Sequence, residues 1–286
     1  MNEKIYWLHA ITPLHVGAGR GLGYIDMPIV REKVTAWPYI PGSSIKGVIA
    51  DHFGASDENT RRKEENKILK AAFGTSGSDN DSAAGALVFT DANILCLPVR
   101  SFYGTFAWVT SPFCLKRAGV NASLPNFPRE SDAFTGNDSA LIGDDGKIYL
   151  EDLDIHTQTQ NEAGRIADDI AESLSDNADW KKIFAERFAV VSDDLFTFLC
   201  ESGTEVNAHI RINSKTGIVE TGALWYKESL PIETILTGRI WCDKVFVDGI
   251  SPEDLFERFC GHDLTLQIGG KASTGKGLVR CIFGKR

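Results

Sequence analysis

Two glycine-rich segments lie near opposite ends of this chain, and each is followed by extended rather than helical sequence. The first is Gly17-Ala18-Gly19-Arg20-Gly21-Leu22-Gly23; the second is Gly269-Gly270-Lys271-Ala272-Ser273-Thr274-Gly275-Lys276-Gly277. From Gly270 the second reads G-x-x-x-x-G-K, but Gly277 stands where a Walker-type loop needs Ser or Thr. A phosphate loop of that kind runs into a helix whose N-terminal amides hold the anion. Here the run Leu278-Val279-Arg280-Cys281-Ile282-Phe283 reads as a strand. The early loop follows an extended run from Ile5 to Thr12 and precedes Tyr24 to Arg31, where Met27 before Pro28 is biased away from helix. A dinucleotide fold needs strand, glycines and helix in that order. Element order therefore argues against a nucleotide hydrolase built on residues 270–277. Plain hairpin turns, or a pair of loops gripping a phosphate chain, stay open.

Charge has to be read by region. The net charge of −9 argues at first against a nucleic-acid partner. The stretch from Leu141 to Asp176 is strongly acidic, however, whereas the tail from Gly269 carries Lys271, Lys276, Arg280, Lys285 and Arg286 and no acid. A compact chain of this length has a radius of gyration of about 19 Å against a Debye length of about 8 Å, so acids on a far face are screened from a basic groove. Six cysteines are scattered without a C-x-x-C pair, which predicts reduced thiols and neither zinc cluster nor disulfide framework. No apolar run approaches the roughly 20 residues of a membrane span, and Met1-Asn2-Glu3-Lys4 lacks a secretory pattern. The expected address is the cytoplasm, with no membrane partner.

Along the chain, strands are predicted at 4–12 and 26–33. Ser43 or Ser44 is expected to cap a helix running to Phe53, with Gly54 as its stop. Lys46 falls in that helix's first turn, where the macrodipole disfavours a cation, so serines, free amides and this lysine suggest a phosphate cradle. A charged helix is expected over 59–73, a loop over 75–85, strand over 86–99 and a short buried helix over 104–119. Residues 121–146 read as irregular, 147–156 as strand, and 162–174 and 179–187 as helices. A hairpin follows, Val206 to Asn213 and Ile218 to Tyr226 about the turn Ser214-Lys215-Thr216-Gly217. Strands at 232–242, 263–269 and 277–283 flank a helix near 251–261. Helices and hairpins interleave without a β-α repeat, which predicts an α+β, split β-α-β fold with insertions.

Leu14-His15-Val16-Gly17-Ala18-Gly19, Ile25 to Glu32, and Tyr39-Ile40-Pro41-Gly42-Ser43-Ser44-Ile45-Lys46-Gly47 together resemble the N-terminal signature of the RAMP superfamily, the RNA-binding backbone proteins of CRISPR effectors. The Gly269–Gly277 segment resembles that family's C-terminal glycine-rich loop. Arg211-Ile212-Asn213 and Thr221 to Pro231 are similar to the backbone subunits of type III-B (Cmr) complexes. The resemblance implies a single domain over 1–286 with a ferredoxin-like (RRM-type) core. It implies large insertions at about 55–85 and 120–200 and a protruding β-hairpin thumb, placed at 206–226 with 150–165 as competitor. It further implies copies stacked head to tail along a guide crRNA, other Cmr subunits as partners, and target RNA cleaved at regular intervals. Asp26 falls at the family's catalytic position, where a divalent metal, Mg or Mn, is expected. Gly17, Gly19, Arg20, Ser43, Ser44, Lys46, Gly269, Gly270, Lys271, Ser273, Thr274 and Lys276 fall at RNA-contact positions.

The residues support that chemistry in part. One carboxylate can hold a partly hydrated Mg²⁺ against a scissile phosphate, and the RNA's own 2′-hydroxyl can attack if held in line. Asp26 alone reads equally as a turn acceptor. His15 is a candidate for proton transfer or a structural histidine between Leu14 and Val16. Glu228 could complete a metal site or be a solvated strand-end charge. Trp225 and Tyr226 suit base stacking or packing, and His209 and Arg211 suit RNA contact or solvent. A non-catalytic RNA-binding scaffold stays open. The groove reading expects Lys46 and Lys276 to converge on one trough.

Overall fold

Alternation in Lys4-Ile5-Tyr6-Trp7-Leu8-His9 sends successive side chains to opposite faces of a central strand, and both faces are covered. The computed structural model describes residues 3–19, 21, 23–75, 82–120, 124, 127–129, 131–213 and 216–284. The central strand β1 (Glu3–Ala10) leads through an irregular ribbon to β2 (Tyr39–Ile40) and α1 (Gly42–His52). Next come α2 (Glu58–Arg62), α3 (Lys67–Phe73), β3 (Gly74–Thr75), β4 (Ala83–Ala84), β5 (Leu87–Phe89), β6 (Ala92–Arg100) and β7 (Phe106–Thr110). The middle holds α4 (Pro112–Ala118), β8 (Asp132–Thr135), β9 (Lys147–Leu150), β10 (Leu153–Thr159), α5 (Asn161–Leu174), α6 (Ala178–Glu186), β11 (Phe188–Val191) and α7 (Asp193–Ser202). The chain closes with β12 (Glu205–Ile212), β13 (Val219–Ser229), β14 (Ile235–Cys242), α8 (Pro252–Cys260), β15 (Leu264–Gln267) and β16 (Leu278–Phe283).

These elements form a mixed α+β architecture around one twelve-stranded sheet, ordered β15-β16-β1-β14-β6-β7-β11-β8-β10-β9, with β2 on β6 and β5 on β14. The β11–β7 and β10–β8 pairs are parallel, and the other pairs are antiparallel. One face of β1 meets α8, where Lys4 Nζ donates to the Cys260 carbonyl at 3.0 Å. Phe259 joins the layers on this side, its ring 4.9 Å from Phe53 and 5.1 Å from Phe73. The other face meets α6, where the His9 and Trp180 rings lie 5.6 Å apart and Trp180 stacks on Phe184. β12 and β13 stand apart as a two-stranded sheet of their own. Among the described residues, no helix is long and apolar enough to cross a membrane.

Several local expectations change. Residues 26–33 form no strand but a ribbon held by isolated bridges, Met27 to Lys227, Gly17 to Ile29 and Arg31 to Pro38. Pro28 cannot donate there, which breaks a ladder. Neither Ser43 nor Ser44 caps α1: Pro41 is the N-cap without a side-chain bond, and Asp91 Oδ1 accepts from the Gly42 N–H at 2.8 Å. The run 86–99 is split at Thr90 and Asp91: Thr90 N–H still donates to Arg239 O of β14, but the Thr90 carbonyl accepts from the Tyr6 hydroxyl and the Asp91 carboxylate from the Gly42 N–H. Residues 104–119 hold β7 and then α4, since the aromatic, β-branched run pairs with β6 before Ser111 caps the helix and Pro112 starts it. The 59–73 helix is two helices with a 3-10 turn at Glu64–Asn66 between them. The 121–146 stretch contains β8, and 147–156 is the β9–β10 hairpin turning at Glu151. Residues 150–165 lie in sheet and helix α5, so the competing thumb position is no protrusion. Ser214 and Lys215 of the expected turn lie outside the described residues.

Phe259 is 1% exposed at the junction of α1, α3 and α8. Phe259→Ala should cost about 3–5 kcal/mol, read as a fall in the urea midpoint at unchanged slope.

Candidate nucleic-acid interface

The root of the β12–β13 hairpin is where the early ribbon, the two glycine loops and the hairpin meet. Leu14 bridges Leu230, and Met27 sits on the free edge of β13, its N–H bonding Tyr226 O at 3.1 Å and its carbonyl accepting from Glu228 N at 3.0 Å. Asp26 is exposed beside it, and its Oδ2 accepts from the Tyr226 N–H at 2.8 Å. Among the described residues Oδ1 has no hydrogen-bond partner. The carboxylate is thus pinned through one oxygen and open through the other.

His15, 6% exposed, holds the glycine loops against this root. Its Nδ1 lies 2.6 Å from the Glu228 carbonyl oxygen, an acceptor only, so Nδ1 carries the proton and Nε2 keeps a lone pair in the neutral ring. Nε2 faces Gly17, where a Cβ would stand 3.0 Å away. The His15 carbonyl accepts from Gly270 N at 2.9 Å, and a Cβ on Gly269 would come within 2.3 Å of that oxygen. Glycine is therefore required at 269 for the two loops to touch.

Glu228 is 3% exposed and fully occupied. Its Oε1 takes the Arg31 guanidinium at 2.5 Å and the Thr204 hydroxyl at 2.9 Å, and Oε2 takes the Ile29 N–H at 3.0 Å. Neither a metal ligand nor a solvated charge, it is the peg that fastens the ribbon to β13. Among the described residues no group of three or more His, Cys, Asp or Glu side chains can hold a metal ion. The donor set is one carboxylate oxygen, from Asp26. That suits a cation such as Mg²⁺, which keeps several waters and arrives with a substrate phosphate, and does not make a dedicated cage.

Lys276 Nζ donates to Ser229 Oγ at 2.7 Å, and Lys271 and Lys276 share charge neighbourhood with Lys227 and His209. Burial first, then Lys271 and Lys276, push the Lys227 ammonium below the usual lysine range. Lys46 lies on α1, its pKa lowered by burial and then by Arg61. Ser43 is exposed beside it and Ser44 half-buried. Arg280 turns to Leu174 O and Asp263, away from the late loop. Ser273 and Thr274 are exposed on that loop, Thr274 Oγ1 donating to Lys271 O at 2.9 Å, while Gly17 and Gly19 are exposed on the early one. Arg20, Lys285 and Arg286 lie outside the described residues. Lys227, Arg61 and the Glu228–Arg31 pair were not singled out as functional in the sequence. For Lys227 the signal was there, since alternation places Trp225, Lys227 and Ser229 on one face of β13.

The fold is a mixed sheet carrying a separate hairpin, with an acid at the hairpin root and a glycine-lysine loop beside it. The chain belongs to the RAMP superfamily, whose family model matches residues 7–280. It is 34% identical over 292 residues to the CRISPR system Cmr endoribonuclease Cmr4 of Pyrococcus furiosus, covering 98% of this chain and 95% of the relative. The crystal structure of oligomeric Cmr4 from P. furiosus matches with a TM-score of 0.70 at 25% identity, over 100% of this chain and 99% of the other. A chain in the cryo-EM structure of type III-B Cmr-beta bound to cognate target RNA shares the fold, with a TM-score of 0.73 at 20% identity, over 99% and 97%.

Glu228→Gln removes the negative charge facing a half-buried Arg31 and replaces one acceptor oxygen by a donor, and should cost about 1.5–3 kcal/mol, measured by chemical denaturation. Unchanged stability alongside lost cation-dependent cleavage would instead make Glu228 a metal ligand.

Proposed function

We propose that this chain is a guide-RNA-binding backbone subunit of a type III-B CRISPR effector and that Asp26 directs cleavage of complementary RNA at the root of the hairpin. The relatives supply the context: one is a Cmr endoribonuclease, one forms oligomers, and one belongs to a complex with target RNA. The observation that carries the site is the bond from Tyr226 N–H to Asp26 Oδ2, which ties an exposed acid to the hairpin.

Strand order supports the finer fold reading. β1, α1, β6, β14, α8 and β16 follow a β-α-β-β-α-β path with spatial order β16-β1-β14-β6, every pair antiparallel, as in a ferredoxin-like core. On this reading residues 1–286 are one domain, 55–85 and 120–200 are insertions, and 206–226 is a thumb that parts stretches of guide–target duplex. Copies stack head to tail along the crRNA, with other Cmr subunits at the ends. The late loop with Lys271 and Lys276 and the α1 terminus with Ser43, Ser44 and Lys46 then contact successive backbone phosphates.

The chemistry asks little of the protein beyond positioning, because the RNA supplies its own 2′-hydroxyl nucleophile. Asp26 would hold a divalent cation, Mg²⁺ or Mn²⁺, which when bound stabilises charge on the scissile phosphate. Pinning by Tyr226 fixes where Oδ1 meets the backbone. His15 sets the spacing of the glycine loops and keeps its Nε2 lone pair toward Gly17, so it is able to take a proton there. The observation on the side of a scaffold without catalysis is that no group of three or more His, Cys, Asp or Glu side chains among the described residues could hold a metal ion.

Assembled complex incubated with complementary RNA and Mg²⁺ separates the two. Asp26→Ala should slow cleavage by roughly 10²-fold or more. Equal cleavage by wild type and variant removes Asp26 from the chemistry, and no cleavage by either leaves the scaffold.

A further inference from the structure

We infer that the face of the hairpin root carrying Trp225, Lys227 and Ser229 is a phosphate site for the RNA backbone, with Lys227 its central cation and Trp225 Nε1 a donor to the anion. This rests on the RNA-binding reading and adds residues that the family signature did not point to. Alternation puts these three side chains on one side of β13, opposite His209, Asn207 and Glu205 of β12. The His209 and Trp225 rings stack, with centroids 6.0 Å apart and an interplanar angle of 14°. Lys276 reaches across from the late loop to Ser229, bringing Lys271 with it.

Lys227 is 8% exposed, and its Nζ sits 5.8 Å from the Trp225 ring centroid. Among the described residues it has no hydrogen-bond or ion-pair partner, and Glu205 makes no ion pair with any of the three lysines. An ammonium crowded by two like charges is unfavourable unless an anion completes the group. Two atoms on the same face, Trp225 Nε1 and His209 Nε2, are buried with no partner. Native interiors pair such atoms as a rule, so unpaired ones gathered beside three lysines indicate a missing acceptor. A phosphate supplies several acceptor oxygens and negative charge at once. The free edge of the same strand carries Asp26, so a chain bound here by its phosphates continues to the acid.

The test uses the full-length chain and a labelled single-stranded RNA, with anisotropy followed across a salt series in EDTA. Lys227→Met should weaken binding and reduce the magnitude of the log-affinity slope against log salt by about 0.7, the share of one phosphate contact, while Lys227→Arg should keep the slope. Trp225→Phe keeps the ring but loses the donor, and should weaken binding roughly tenfold at unchanged slope. Should Lys227→Met fail to fold, Lys271→Met on the loop reads the same slope. Affinities and slopes equal to wild type in all of these overturn the site. If ATP or inorganic phosphate displaces the RNA at micromolar concentration, the site serves free phosphates and the RNA assignment is wrong. A wild-type chain that binds no RNA even at low salt overturns the RNA-binding reading itself.

Discussion

Everything at the hairpin root depends on the buried carboxylate of Glu228. It joins three segments distant in sequence: the ribbon through Arg31 and Ile29 N–H, the end of α7 through Thr204, and β13 through its own backbone. A two-stranded hairpin is marginal by itself in water. This one is steadied because its root is bonded on one side to the ribbon and on the other, through Lys276 and Ser229, to the late loop. The same peg sets the Glu228 carbonyl that fixes the His15 tautomer, and His15 in turn spaces the glycine loops. Removing it would loosen the acid, the loops and the hairpin together.

Electrostatics then sorts by neighbourhood, not by total. The chain is a net anion, yet Lys271 and Lys276 stand close enough to lower the basicity of Lys227 beside a stacked histidine and tryptophan. Burial strengthens the effect, since charges in a poorly solvated pocket feel each other at longer range than exposed ones. The acids of α5 lie on a helix that packs against β8 and β11, and the end of that helix reaches β16 where Arg280 donates to the Leu174 carbonyl.

Much of the architecture was legible. Both glycine loops lead to extended chain, as their following residues required, and the 206–226 alternation gave a hairpin with nearly the expected limits. What failed were features decided by distant partners. Pro28 and the free edge of β13 turned an apolar run into a bridged ribbon, and Asp91 took the capping role expected of the serines beside it in sequence. Residues 104–119 read as a helix because apolar periodicity does not separate a short buried strand from one, and only pairing with β6 decides. Asp26 and the late loop were visible as residue types at spacings, but the approach of Lys271 and Lys276 to Lys227 was not, since it depends on how the loop and the hairpin are placed in space.

Lys271 has a left-handed backbone, φ 72°, a conformation that costs a side-chain-bearing residue about 1 kcal/mol or more relative to glycine. Its neighbours Gly269 and Gly275 adopt positive φ without that penalty. Glycine at 271 would therefore relax the loop and discard a positive charge in one step. A lysine persisting in so uncomfortable a conformation means that grip has been favoured over ease of folding at this one residue.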